Sequence, residues 1–301
     1  FFFLAEDGIR DSVASRWLGD VYKRQVLKGI VENSIDATTT RDSAVEYIAA
    51  IAILMTNLSR ISKDFSIWST SEFSFLQLSD EFSSPSSVMP QKKNPDILEL
   101  TRGKTSHVIG NLTSMLSTIQ GLPSGYSRDL QQINPSIWSA SKITISALLV
   151  MESMLKSVII NKKNMKKAAE DGYLIALDLA EKLVHNGISF RKSHQIIGRL
   201  VKIAHKSGKP ISELNKSEIK KEIKGKEVSL ELLIKLIKST TITSSLHDRT
   251  SQGSSGISEQ KRMVKHRLGK INAYQTGIKK RSNDVQNSLN KMNKKVKALT
   301  K

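Results

Sequence analysis

Residues 41–68 read RDSAVEYIAAIAILMTNLSRISKDFSIW, and this stretch decides the class of fold. Its larger apolar residues recur at alternating steps of four and three, which is the spacing of one face of a packed helix. The stretch contains no Pro or Gly, and its four alanines allow neighbouring helices to approach closely. Because apolar residues extend around much of the helix, we expect neighbours on more than one side. The residues of the main seam are Tyr47, Ile51, Leu54, Leu58, Ile61, Phe65 and Trp68.

Two Asn-Pro pairs predict the next helices of this bundle. Asn is a favoured N-cap and Pro is tolerated at the first helical position, so a helix is expected to begin at Asn94-Pro95. The same signal at Asn134-Pro135 predicts another long helix. We expect these helices to pack together in one domain, residues 26–160.

The pattern changes after Asn161, where shorter helices with charged surfaces replace the long apolar ones. These helices are predicted over residues 174–185, 190–205 and 230–238, and a long basic helix is predicted from about Ser258 onward. No segment shows the alternation of a strand. The sequence therefore predicts an all-α protein, with a long-helix bundle domain followed by a smaller helical C-terminal domain, residues 161–301, that ends in a basic tail.

Composition limits the possible functions. Of the 301 residues, 39% are hydrophobic and 25% are charged, which is typical of a folded chain with a core. The most apolar stretch, Ala49 to Met55, is far shorter than the roughly 18 apolar residues that cross a bilayer, so no membrane segment is predicted. The absence of Cys excludes disulfides, thiolate metal sites and a Cys nucleophile. The six His residues show no metal-ligand spacing, and no metal site is predicted.

The formal net charge of +19 indicates anionic partners, either nucleic acid or an anionic metabolite. Much of the excess lies after Tyr274, where Asp284 is the one acidic residue. This segment has no aromatic residue after Tyr274 and no recognisable nucleic-acid module. We interpret it as a solvated helical tail and predict no nucleic-acid partner.

The first 25 residues, FFFLAEDGIRDSVASRWLGDVYKRQ, do not join the pattern that follows. They have neither the basic start nor the apolar stretch of a signal peptide. They resemble translated adapter sequence, so we interpret residues 1–25 as non-native, with a genuine N-terminal arm as the alternative. The natural sequence would then begin near Val26, inside a domain.

A long loop separates the first two bundle helices and carries the candidate chemistry. Loops longer than roughly 12 to 15 residues are usually functional or disordered. The loop comprises residues 77–94. Residues 86–96, which begin in the loop and extend just beyond it, read SSVMPQKKNPD. Two hydroxyls, two ammonium groups and an amide thus precede a helix N-terminus, which favours an anion-binding site. The alternative is a serine-rich loop with a helix-capping Asn.

This string resembles the SSxMPxKxNP signature of the fumarase and aspartase superfamily, and its QKKNP ending resembles the argininosuccinate lyase family. Other strings similar to that family follow in the expected order, and the resemblance extends from Val26 to about Leu268. These strings lie at residues 33–37, 41–42, 121–123, 126–131, 170–172 and 248–251.

The resemblance implies a β-elimination that splits argininosuccinate into arginine and fumarate without a metal or an organic cofactor. It implies a cytoplasmic homotetramer, whose active sites draw residues from three subunits. Ser86 would be the catalytic base, and Lys92 and Asn94 would stabilise the developing negative charge. Residues implied to bind substrate are Ser87, Tyr126, Arg128 and Gln131.

The sequence departs from the family pattern at two positions. Pro85 stands where the family has Gly, and Asn134 stands where a substrate-contacting Lys is expected. The family's catalytic histidine would come from a segment before Val26. The chain is therefore expected to be the C-terminal part of the enzyme and to be inactive alone.

Three other functions compete with this interpretation. A related lyase, such as adenylosuccinate lyase, would share the loop. A non-catalytic structural homologue would share the fold alone. A basic scaffold that binds nucleic acid would show affinity that falls steeply as salt rises.

Overall fold

The computed structural model describes residues 33–85, 88–89, 93–171, 173–223 and 228–299. The predicted all-α class is confirmed, since this part of the chain contains eleven α-helices. They are α1 (Ser34–Thr39), α2 (Asp42–Trp68), α3 (Asp96–Gln120), α4 (Ile133–Ser157), α5 (Lys162–Asp171), α6 (Ala176–His185), α7 (Phe190–Ser207), α8 (Lys216–Glu222), α9 (Leu230–Ser239), α10 (Ile242–Asp248) and α11 (Ile257–Leu299). Residues 1–25, interpreted as non-native, lie outside the described residues.

Two short antiparallel ladders accompany the helices, although the sequence showed no strand pattern. Strand β1 (Leu76–Gln77) pairs with β4 (Ile159–Ile160), and β2 (Ser84–Pro85) pairs with β3 (Lys93–Asn94). Each strand has two residues, which is too short for an alternating pattern to be visible in the sequence.

The core of the bundle lies between α2, α3 and α4. Its fully buried side chains include Ile48 and Met55 of α2, Val108 and Met115 of α3, and Ile133 of α4. Long helices that pack side by side in this way exclude water from a continuous apolar seam.

The face that α2 buries in the single chain includes only part of the predicted seam. Ile51 is buried, and Leu58, Phe65 and Trp68 are half-buried against the two cores. Tyr47, Leu54 and Ile61 of that seam are 46%, 38% and 42% exposed. The buried face instead runs through Ile48 and Met55, one position further along the chain. Because α2 is apolar on both faces and α3 and α4 cover only one, periodicity did not decide between them.

By length and composition, α2 is also the one described helix that could cross a membrane. Its buried residues pack in the bundle core against residues of α3 and α4, as the central helix of a bundle does.

Both Asn-Pro helix starts differ from the prediction. Pro95, not Asn94, is the N-cap of α3, and α4 begins at Ile133 directly after a 3₁₀ helix, Arg128–Gln132. Pro135 therefore lies within the first turn of α4. It is tolerated there because the first four N–H groups of a helix have no partner within the helix.

The chain divides into two compact units. One unit ends at Ile160 and also includes the chain from Gly277, and the other is Asn161–Thr276. The second unit has its own core, built from α6, α7, α8 and α9 around Leu183 and Leu200.

Candidate functional site

The two ends of the candidate catalytic loop are held side by side. In the β2–β3 ladder, Ser84 is opposite Asn94 and Pro85 is opposite Lys93. In the sequence, residues 86–92 lie between these strands. The predicted base Ser86, its neighbour Ser87 and the predicted anion-stabilising Lys92 belong to this segment and lie outside the described residues.

An ion pair adds a second constraint at the base of the loop. The Lys93 ammonium group donates to Oδ1 of Asp80, which lies in the 3₁₀ helix Asp80–Phe82. Both side chains are exposed, so this pair contributes about 1 kcal/mol or less to stability. Sequence reasoning missed Asp80, because no periodic signal links residues thirteen positions apart in a loop.

Asn94 is half-buried and lies immediately before α3. The first turn of α3 contains Asp96 and Glu99, whose charges already complement the positive end of the helix dipole. Because these two carboxylates would oppose a bound anion, the end of α3 is by itself weak support for an anion site.

The predicted substrate-binding residues Tyr126 and Gln131 contact each other. The Gln131 amide donates a hydrogen bond to the Tyr126 hydroxyl at 2.7 Å, and both residues are exposed. Gly125, at φ 108°, adopts a conformation that favours glycine, and its N–H donates to Thr39 Oγ1 at 2.7 Å. This bond fixes the Tyr126 segment to the end of α1.

Arg128 is the first residue of the 3₁₀ helix that precedes α4, and its side chain is exposed. Next to it, the Ser127 hydroxyl donates to Asp129 and lowers the pKa of that carboxyl. Asn134, which replaces the expected lysine, is half-buried in the first turn of α4. This segment has a cation, a carboxylate and three amides close to one another in sequence.

Arg41, one of the residues in the matching strings, has a structural role. Its guanidinium donates to the carbonyl oxygens of Thr38 and Thr40 at 3.1 and 3.0 Å. Thr40 is the C-cap of α1, so Arg41 satisfies carbonyl groups at the end of that helix.

The structure thus forms two separate clusters. In the described part of the chain, no hydrogen bond or ion pair joins Tyr126 or Gln131 to Lys93 or Asn94. Nor do the described residues contain a grouping of His, Asp and Glu that could hold a metal ion. A complete site within a single chain would need further groups.

Comparisons with known proteins identify the class. The sequence profile of a family described as "Lyase" matches residues 10–110, and that of "Argininosuccinate lyase C-terminal" matches residues 173–240. The first match begins within residues 1–25, the segment that the sequence analysis set apart.

Curated relatives and solved structures agree with these profiles. An argininosuccinate lyase of Nitrosopumilus maritimus is 60% identical over 267 residues, which are 89% of this chain and 55% of the relative. One of Clostridium tetani is 44% identical over 191 residues, covering 64% of this chain and 44% of the relative. The structure of an EDDS lyase variant with bound fumarate has a TM-score of 0.77 at 21% identity, covering 91% of this chain and 55% of that one.

The helical bundle and its serine- and lysine-bearing loop define a lyase of the fumarase and aspartase superfamily. Within that superfamily, the chain belongs to the argininosuccinate lyase family. It spans about half the length of the curated relatives that it matches.

Proposed function

We propose that the protein to which this chain belongs cleaves argininosuccinate into arginine and fumarate by β-elimination. The observation that carries this proposal is the QKKNP form of the loop, in a chain 60% identical to an argininosuccinate lyase over 267 residues. The ladder that pairs Ser84 with Asn94 supports it, because it brings together the two ends of the segment that carries the signature.

Ser86 is the proposed base. It removes a proton from the methylene carbon of the succinyl group, and negative charge then builds on the adjacent carboxylate. Lys92 and Asn94 stabilise this charge as it develops. The bond from the succinyl carbon to the guanidino nitrogen then breaks, the electron pair leaves with arginine, and a general acid supplies the proton that the nitrogen requires.

A serine hydroxyl is a weak base unless its anionic form is stabilised by nearby cations and N–H donors. The loop sequence supplies Lys92 and Lys93 within seven residues of Ser86. The ion pair with Asp80 turns Lys93 towards the base of the loop, so Lys92 is the cation assigned to the reacting group. We assign substrate binding to Ser87, Tyr126, Arg128 and Gln131.

The departures from the family pattern are compatible with an active enzyme. Pro85 lies in the β2–β3 ladder, where a fixed φ is compatible with extended backbone. Asn134 removes one cation, but Arg128 keeps a positive charge in the same segment. These observations favour catalysis over the alternative of a non-catalytic homologue.

We further propose that the intact protein is a cytoplasmic homotetramer. The outer face of α2 exposes Tyr47 and Leu54, and α4 exposes Trp138 (65%) and Ile145 (58%). Apolar surface of this extent along helices is typical of surfaces that other subunits cover. Two separate clusters in one chain also fit a site assembled from several subunits.

The proposal is tested by joining this chain, from Val26, to the N-terminal part of the Nitrosopumilus relative and measuring fumarate by its ultraviolet absorbance. Argininosuccinate should be cleaved, and adenylosuccinate should not. Cleavage of adenylosuccinate alone would identify the related lyase instead. Loss of both activities, with the tetramer intact, would favour the non-catalytic homologue.

A further inference from the structure

The C-terminal helix α11 carries an apolar stripe along its length. The exposed fractions of these side chains lie between 38% and 61%, although each is large and apolar. Their steps of four, three and seven are those of the a and d positions of a heptad repeat. The residues of this stripe are Val264, Leu268, Ile271, Ile278, Val285, Leu289 and Met292.

Polar residues occupy two of the heptad a positions within the stripe. Gln275 and Ser282 follow Leu268 at intervals of seven, and both are exposed. In coiled coils, a polar residue at such a position specifies the register and number of strands at some cost in stability. The pattern is thus that of a helix with one preferred partner arrangement.

Four of the eight positions that flank the stripe are basic, and the other four are neutral. Lys265 and Lys279 occupy e positions, and Arg267 and Arg281 occupy g positions. In the sequence from Val264 to Met292 the one acidic residue is Asp284, at a c position away from the stripe. Residues at e and g decide which helix a coiled coil accepts, through ion pairs across the interface.

We propose that the stripe of α11 binds an acidic amphipathic helix of another protein, with Glu or Asp at its flanking positions. Burial of the apolar stripe provides the affinity, and the four flanking cations select the partner by charge. This interaction is independent of the lyase reaction, because none of these residues belongs to the candidate site.

A second copy of this helix is a poorer partner. Self-pairing would add four more cations at the seam without an acidic side chain at any flanking position to pair with them. Like charges at these positions disfavour association. The charge pattern therefore disfavours pairing with a second copy of α11.

A membrane surface fits the stripe less well. A straight α-helix has 3.6 residues per turn, so a strict seven-residue repeat drifts by about 20° per heptad, or roughly 80° over four heptads. A flat bilayer would lose contact with one end of such a stripe, whereas a second helix follows it by supercoiling. The stripe also lacks the Trp and Phe residues of many interfacial helices.

Nucleic acid would use the cations but would not require the apolar side chains. Substitutions that remove the stripe and keep the charge thus separate the two interactions. Ile271→Asn with Ile278→Asn removes two d-position side chains. The matched control, Ala273→Asn with Ala298→Asn, places the same two residues on the exposed faces away from the stripe.

The experiment uses the 301-residue chain and a labelled synthetic peptide of four heptads, with Leu at a and d and Glu at e and g. A second peptide has Lys in place of every Glu. Fluorescence anisotropy at physiological salt should show binding of the Glu peptide alone. The two-Ile variant should weaken this binding by about ten-fold or more, and the two-Ala control by about two-fold or less.

The charge variant Lys279→Glu with Arg281→Glu should weaken binding of the Glu peptide and strengthen binding of the Lys peptide. Equal affinity for the two peptides, or no binding of either, would overturn the proposal. Two results together would also overturn it. The chain would bind duplex DNA or phosphatidylserine vesicles more tightly than the Glu peptide, and the two-Ile variant would bind the DNA or vesicles as tightly as wild type does.

Discussion

Arg249 and Asp178 form an ion pair within the second unit, with Nη2 of Arg249 3.3 Å from Oδ1 of Asp178. The Asp178 side chain is only 7% exposed, and its other oxygen accepts a hydrogen bond from Ser245 at 2.7 Å. A buried carboxylate is stable when charged and neutral donors satisfy both of its oxygens. Removing the carboxylate would leave those donors without an acceptor. The pair therefore fastens α10 and the residue after it to α6.

Replacing Asp178 by Ala should lower the free energy of unfolding of the second unit by about 2 to 3 kcal/mol, because the Arg249 and Ser245 donors lose their acceptor. Urea unfolding followed by circular dichroism measures the loss. Glu152→Ala, which removes an exposed i,i+4 pair with Lys156, is the control and should change little. Equal effects of the two substitutions would show that the buried pair has no special role.

Gly256 lies against the backbone of the preceding loop. A Cβ atom added there would be 1.7 Å from the Arg249 carbonyl oxygen and 3.2 Å from that of Leu246. Gly256→Ala should therefore displace the loop before α11 and destabilise the second unit by several kcal/mol. Thermal unfolding tests this.

Gly269→Ala is the matched control, since a Cβ at that position in α11 meets nothing within 4 Å. It should raise helix stability by about 0.5 to 1 kcal/mol. If Gly256→Ala had the melting temperature of wild type, the close approach to Arg249 would be wrong.

The Glu259 carboxylate accepts hydrogen bonds from the Arg262 guanidinium at 2.6 and 2.7 Å and from the Gly253 N–H at 2.8 Å. The Arg262 hydrogen bond, followed by the Gly253 bond, lowers the pKa of Glu259 to about 2. Because the folded-state pKa is lower than the ordinary value of 4.5, the ionised carboxylate stabilises the fold at pH values above 4.5. This stabilisation disappears as the pH falls towards 2.

Glu259→Gln should consequently melt at a lower temperature than wild type at about pH 7, and the difference should shrink as the pH falls from about 4.5 towards 2. Thermal unfolding of both proteins across that range measures it. Arg262→Met removes the partner and should reproduce most of the effect. A difference that stays constant with pH would show that the charge of Glu259 does not stabilise the fold.

Ser86→Ala in the joined, full-length enzyme should reduce turnover by about two to four orders of magnitude, because general base catalysis contributes about that much. Ser87→Ala is the matched control and should affect KM more than turnover. The melting temperature should be unchanged in both, since a loop hydroxyl contributes little to stability. Turnover of the Ser86 variant within a few-fold of wild type would exclude Ser86 as the base.

The 301-residue chain by itself should associate but produce no measurable fumarate. We expect the exposed apolar faces of α2 and α4 to drive association. Catalysis should be absent, since positioning and acid–base groups each contribute several orders of magnitude and the chain spans 55% of the Nitrosopumilus relative.

Mixing the chain with full-length Ser86→Ala enzyme should restore part of the activity by forming mixed sites. Light scattering and fumarate absorbance measure the two halves of this prediction. A monodisperse monomer would contradict the first half, and fumarate produced by the chain alone would contradict the second.

Local patterns in the sequence were sufficient for the all-α class, for the long helices and for the loop signature at residues 86–96. Helical periodicity, Pro and Gly act over a few residues, so their effects are visible in one stretch of chain. The helices α1, α5, α8 and α10 were missed. Three of them have only six or seven residues, too few turns for a periodic pattern, and α5 has few apolar residues.

Contacts between distant residues were decided by tertiary structure alone. Leu76 pairs with Ile160, Asp80 with Lys93, and Asp178 with Arg249, and no local pattern relates the members of these pairs. Tertiary structure also decided which of the two apolar faces of α2 is buried. Packing against α3 and α4 buries the face of Ile48 and Met55 and leaves Tyr47, Leu54 and Ile61 of the predicted seam exposed, because burial depends on where the neighbouring helices lie.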